Sequence, residues 1–266
     1  FLIALIIGYS FQTIGAVSNE QDYIIRRVKA DVGADISVQV ASTANASEIA
    51  NAIEELPEVT SATLEYLLSG TLPGQWYSHR IRAVDPDKWL STAYYEDEWF
   101  SGNDVATAFQ KMKISNQTII LERNTAKSLD KNVGDSITLN IGVSTMELEI
   151  VGFFGREVTD QYYYIQPVEY FGGSFWSYVP LGLCESLRGA VSSARVLVKL
   201  ELGADGRSVA SEILDFDDVE SGRYVAEQLE TYQSDLLLMG SLNIQRVGVV
   251  FSILAASVAT GLVTLV

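Results

Sequence analysis

Apolar and polar residues alternate at Ile36, Val38 and Val40, as on a strand with one buried face. A Ser/Asn-rich stretch follows, after which Ile49, Ile53 and Leu56 recur at helical spacing, and beyond Pro57 alternation returns from Val59 to Leu67. The same order repeats near the other end of the chain. Val196, Val198 and Leu200 alternate, "ADGR" makes a turn, Val209, Ile213 and Leu214 share a helical face, and Val219 to Val225 can extend. Two βαβ units of this kind pair into a four-stranded sheet with both helices on one face. The pattern therefore predicts an α+β fold, a ferredoxin-like pair of βαβ units.

The segment between the units, residues 80–188, reads as an inserted small β-rich domain. "TIILERNTAKSLDKNVGDSITLNIGVSTMELEIVGFFG" (Thr118 to Gly155) predicts a strand, a short helix from Asn124 to Leu129, a turn at "NVGD", and alternating strands at Ser136 to Ile141 and Met146 to Val151. An aromatic run, "QYYYIQPVEYFGGSFWSYVPL" (Gln161 to Leu181), has a Gly172–Gly173 pair that permits a tight hairpin. Aromatic strands are more often packed than ligand-binding, so the run reads first as core. If exposed, Phe175 and Trp176 are the candidate contact for cargo or a partner.

Both ends are apolar. Val247 to Val266 carries no charge over a length that matches the ~20 residues an α-helix needs to cross a bilayer. Phe1 to Ser18 is also uncharged and begins with neither Met nor a basic region, so it reads as the outer end of a longer helix. The expected organisation is the end of a transmembrane helix at 1–17, a stalk and the first βαβ unit at 18–79, the insertion at 80–188, the second βαβ unit at 189–229, and a stalk entering a second span at 230–266. Ala226 to Val250 reads as a helix running into that span.

The charge lies between these ends. A net charge of -16 argues against nucleic acid as a partner, because phosphate neutralisation needs clustered Lys and Arg. The one dense basic patch, Arg26 to Lys29, is flanked by Asp22 and Asp31 and reads as one face of a juxtamembrane helix, with Ser18 and Gln21 placed as a capping box. Basic residues on the flank taken as external run against the usual cytoplasmic bias. The single cysteine, Cys184, excludes an intrachain disulfide and reads as a small buried hydrophobe. Asn45 and Asn116 stand in glycosylation triplets, a pattern that also arises by chance.

Taken in order, "ADISV", "PEVTSA", "RIRAVDPDKWL", "IILERNTAKSLDKNVGDSITL", "LEIVGFF", "VPLGLCESL" and a helix entering a span resemble the extracytoplasmic core domain of MacB/FtsX-type ABC transporter permeases. In that pattern Gly134 makes the turn, Asp135 caps it and Gly152 ends the following strand. The resemblance implies a non-catalytic domain at the cell membrane, on the extracytoplasmic side, that relays ATP-driven motion for export or for activating an extracellular partner. It implies a cytoplasmic ABC ATPase, a homodimer or related permease, and membrane lipid as partners, and no cofactor. No segment resembles a docking hairpin for an outer-membrane or periplasmic adaptor.

Enzymatic chemistry has little to stand on. His79 is the only histidine, which removes a Ser-His-Asp triad and a multi-His metal site, and no phosphate-binding P-loop occurs. "DFDDVES" (Asp215 to Ser221) misses the register of a calcium loop and reads as a solvated turn. "YYEDEWF" (Tyr94 to Phe100) gathers Glu96, Asp97 and Glu98, which would serve the alternative reading, a membrane-anchored cell-surface hydrolase.

Overall fold

The computed structural model describes residues 22, 24–73, 78–155, 176–187, 190–232 and 234. The two expected membrane spans lie outside these residues. Among the described residues, no helix is long and apolar enough to cross a membrane.

The outer βαβ units form as their periodicity requires. Strand β1 (Ile36–Val40), helix α2 (Ala46–Glu54) and strand β2 (Val59–Thr71) make the first. Strand β9 (Val191–Leu200), helix α6 (Gly206–Leu214) and strand β10 (Val219–Tyr224) make the second. Their strands lie in the order β10-β1-β9-β2, every neighbour antiparallel, which is the ferredoxin-like order. Ile49 and Ile53 of α2 and Val209 and Ile213 of α6 pack on Ile36, Val38, Val196, Val198 and Leu64, giving a core on one face whose buried members are all aliphatic. The Asp205 carboxylate starts α6 by accepting from the Arg207 and Ser208 amides.

The residues between the units extend the same sheet. They supply β3 (Ser78–Val84), β4 (Phe100–Ser101), β5 (Thr118–Glu122), β6 (Ser136–Ile141), β7 (Ser144–Phe154) and β8 (Trp176–Pro180). Among the described residues they also supply three α-helices, α3 (Trp89–Thr92), α4 (Val105–Ile114) and α5 (Arg123–Ser128). The helix expected from Asn124 is thus found one residue earlier, whereas α4 has no counterpart in the hydrophobic pattern, since only Ala108, Phe109 and Met112 of its ten residues are buried.

Six strands close a ring. β2 pairs β3, β3 pairs β8, β8 pairs β5, β5 pairs β7, β7 pairs β6, and β6 returns to β2 through Gly70 and Thr71. Closure removes the free edges that a sheet would otherwise expose. Gly70 is needed there: a Cβ would stand 2.9 Å from Ile81 Cδ1 and 3.2 Å from the Asn140 carbonyl oxygen. The ring is filled by Leu68, Ile81, Ile119, Leu139, Ile150 and Val179 among others. Cys184 joins that core, and burial pushes its thiol up to about 12.

The turn at Gly134 forms as expected, with φ +94°, and the Asp135 carboxylate accepts from the Asn132 amide at 2.8 Å. Gly152, by contrast, does not end its strand. β7 continues to Phe154, and a Cβ at Gly152 would lie 3.3 Å from Ala108, so the missing side chain lets α4 approach.

The opposite face of the sheet carries helix α1, residues 24–32, followed by Gly33 at φ +91°, whose amide donates to the Lys29 carbonyl at 2.7 Å. A residue with a side chain is strained in this left-handed conformation, and glycine ends the helix cleanly. Helix α7, residues 225–232, carries the chain into a second compact unit that begins at Ala226.

Candidate functional site

The sheet face under α1 is built differently from the aliphatic one. Ala30 and Ala34 pack with Trp89, Phe100, Phe109 and Tyr178, and the rings stack or meet edge to face at centroid distances such as 5.1 Å (Trp89–Phe109) and 4.8 Å (Phe154–Tyr178). Among these rings sits a charge cluster. Glu65 is fully buried on β2, directly across from Arg195 on β9, whose Nε donates to it at 2.5 Å. Trp89 Nε1 donates to the other carboxylate oxygen at 2.6 Å. Burial alone would push the Glu65 carboxyl up, but Arg195, Arg82 and Trp89 together outweigh it and hold the group below the usual carboxylate range. Arg195 Nη2 is buried without a hydrogen-bond partner and lies 3.3 Å from the position a Cβ on Gly33 would take. A guanidinium therefore sits under the C-terminal end of α1, where the helix dipole favours a cation.

A second set of contacts clamps α1 from the side. Arg26 Nε donates to Glu96 Oε1 at 2.7 Å, and its Nη2 bonds both Glu96 Oε2 and Glu98 Oε1. Tyr94 donates its hydroxyl to Glu96 at 2.6 Å and its amide to the Gly33 carbonyl at 2.7 Å, while Lys29 lies 5.6 Å from the Tyr94 ring centroid. The Arg26 hydrogen bond is the main reason the Glu96 carboxyl is held below its usual range. On the far side, Arg223 Nη2 donates to the Asp31 carbonyl at 3.2 Å. The carboxylates of "YYEDEWF" are thus partners of a helix: Glu96 and Glu98 hold Arg26, and Asp97 is exposed.

The other sequence candidates are scattered. Phe175 lies outside the described residues. Trp176 is half-buried at the start of β8, with the Arg82 guanidinium 4.4 Å and that of Arg80 5.7 Å from its ring centroid. Asn45 is exposed before α2, and its amide donates to Asp218 at 2.7 Å; Asn116 is exposed in the turn between α4 and β5. Of "DFDDVES", Asp215 to Asp218 form the turn between α6 and β10, with Asp218 at φ +65°, and the rest begins β10. His79 is buried, its Nδ1 3.4 Å from Thr125 Oγ1, and burial lowers its pKa against the pull of Glu122. Among the described residues no group of three His, Cys, Asp or Glu side chains is placed to hold a metal ion.

Sequence reasoning passed over Glu65, Arg82 and Arg195. Their signal was opposite charges on strands that have sheet neighbours on both sides, in "TLEYL", "RIRAV" and "ARVLV".

This arrangement of a ferredoxin-like sheet fused to a closed ring, with a helix seated on the opposite face, coincides with a family match over most of the chain. The MacB-like periplasmic core domain matches residues 2–216. The chain belongs to this family. It is a non-catalytic extracytoplasmic domain of a MacB/FtsX-type ABC transporter permease. The chain is similar to the periplasmic region of MacB from Actinobacillus actinomycetemcomitans, with 11% identity over 79% of this chain and 98% of that one and a TM-score of 0.46. It is also similar to the extracellular domain of the noncanonic ABC-type transporter YknZ from Gram-positive bacteria, with 12% identity over 71% and 98% and a TM-score of 0.42. No curated protein sequence matches it.

Proposed function

We propose that this MacB-like domain relays ATP-driven motion from the membrane to the extracytoplasmic side, for export or for activating an extracellular partner. ATP is hydrolysed by a separate cytoplasmic ATPase, and a second permease copy, identical or related, completes the assembly in the lipid bilayer. The observation that carries this reading is the seating of α1, the first described helix after the apolar N-terminal segment. Arg26 grips Glu96 and Glu98, Gly33 accepts from Tyr94, and Arg195 lies beneath the helix end. A displacement of α1 is then carried into β2, β9 and α3 as a body, because each contact ends on a sheet strand or on a segment packed against one.

The test uses the intact permease with its ATPase in proteoliposomes, with distance labels on α2 and α5 of both copies. The label distances are expected to differ between nucleotide-free and ATP-trapped states. Leu229→Pro, which removes a backbone donor within α7 and costs about 3 kcal/mol locally, is expected to abolish that difference while hydrolysis continues. Identical distances in both nucleotide states would end the relay reading.

The hydrolase alternative gains nothing from the geometry, since Glu96 and Glu98 are engaged by Arg26. Asn45 and Asn116 remain proposed glycan acceptors on the outer surface, checked by the intact mass before and after endoglycosidase.

A further inference from the structure

We propose that Arg80, Arg82 and Trp176 form a binding site for a small phosphate-type oxyanion. The two arginines stand two residues apart on β3, so their side chains leave the same face of the strand roughly 7 Å apart. Trp176 faces Arg80 directly on the parallel neighbour β8, and both guanidiniums approach its ring. The negative face of an indole attracts cations and so keeps two like charges side by side that would otherwise diverge.

Among the described residues these two cations have no paired anion. The chain has 34 acidic residues against 18 lysines and arginines, yet among the described residues neither Arg80 nor Arg82 has a carboxylate within ion-pairing distance. Arg82 is 8% exposed, its Nε has no hydrogen-bond partner, and its contact to the Tyr178 hydroxyl is long at 3.5 Å. The nearby acids do not answer this need: Glu65 is bonded to Arg195 and Trp89, and Asp31 acts on Arg82 only through space. Arg82 and Arg195 therefore share one buried carboxylate, and Arg195 is the one that pairs with it. Arg80 is exposed and provides the mouth of the site, while Arg82 and the indole provide its floor. Guanidinium forks match the oxygens of a phosphate, and charge-assisted bonds of this kind are the strong ones. The chemistry differs from the apolar contact that Trp176 suggested in the sequence, and the proposal does not depend on the relay reading.

The experiment titrates the intact protein in detergent with sodium phosphate at constant ionic strength, balanced with chloride, and follows heat and indole fluorescence without nucleotide. Saturable binding of one phosphate per chain is expected. Arg80→Gln is expected to weaken it by about tenfold or more, the loss of one charge-assisted contact, with an unchanged melting temperature in the absence of phosphate. Arg80→Lys, which keeps the charge without the fork, should fall between. Because Arg82→Gln alters a buried residue and can unfold the protein, Trp176→Leu serves as the second variant and should also weaken binding. No saturable binding, or binding undiminished in Arg80→Gln, would overturn the proposal. So would binding to phosphatidylglycerol vesicles without binding to free phosphate, because a membrane surface would then be what the arginines read.

Discussion

The two faces of strands β2 and β9 are made from alternate residues of the same segments, yet they are different materials. Ala62, Leu64, Val196 and Val198 point to α2 and α6 in a core whose buried side chains are all aliphatic, with Tyr66, Phe216 and Tyr224 only at its edge. Thr63, Glu65, Arg195 and Leu197 point the other way, into aromatic rings, two buried charges and the end of α1. Aliphatic packing is non-directional and tolerates small shifts of a helix over a sheet. A buried ion pair with defined hydrogen bonds does not, because a displaced partner leaves a charge uncompensated. The face that receives α1 is thus the one whose contacts have a fixed geometry.

The largest expected effect comes from breaking that pair on one side. Glu65→Ala should destabilise the protein by about 3–5 kcal/mol, since Arg195 is then buried alone, and urea unfolding measures it. Replacing both partners, Glu65→Leu with Arg195→Met, should recover most of that loss or all of it. If the double variant is as unstable as the single one, the charges hold the fold through something other than each other. On the aliphatic face, Ile53→Val should cost only about 0.5–1.5 kcal/mol, as a small cavity does.

Acid sharpens the same contrast. Glu65 and Glu96 are both held below the usual range in the folded protein, so the unfolded chain binds protons first as pH falls. Their stabilisation is full above the unfolded carboxylate pKa of about 4.3 and is lost as pH drops through the lower folded values. Unfolding midpoints between pH 6 and pH 3 should decline more steeply in the native protein than in the Glu65→Leu, Arg195→Met variant. The smallest effect belongs to Arg26→Ala. Its side chain is 31% exposed, and solvent screens its pairing, so about 1 kcal/mol or less of stability should be lost.

These contrasts also explain what could be read from the sequence. The βαβ units were legible because alternation at Ile36–Val40 and a 3.6-residue period at Ile49 and Ile53 each bury one side of an element. The β6–β7 hairpin was legible for the same reason, its turn marked by Gly142 at φ +59°. Helix α4 was not, because it buries a narrow stripe and its start depends on an Asp104 carboxylate accepting from Thr107. Nor was ring closure, which rests on two residue pairs between β2 and β6, far apart in the chain. Most of the candidate site was hidden by the rule that made the fold readable. Glu65, Arg82 and Arg195 fall on the polar phase of alternating strands, and alternation assigns that phase to solvent. Only the second layer, brought in by α1 and α3, turns it into an interior.

Cys184 has a practical consequence for the distance labels. A thiol sealed in the ring's core and protonated at every working pH offers almost no thiolate to a maleimide or a disulfide. Within these 266 residues the folded protein is therefore chemically silent towards such reagents, and a reporter pair of cysteines introduced elsewhere in them can be labelled without first removing the resident one.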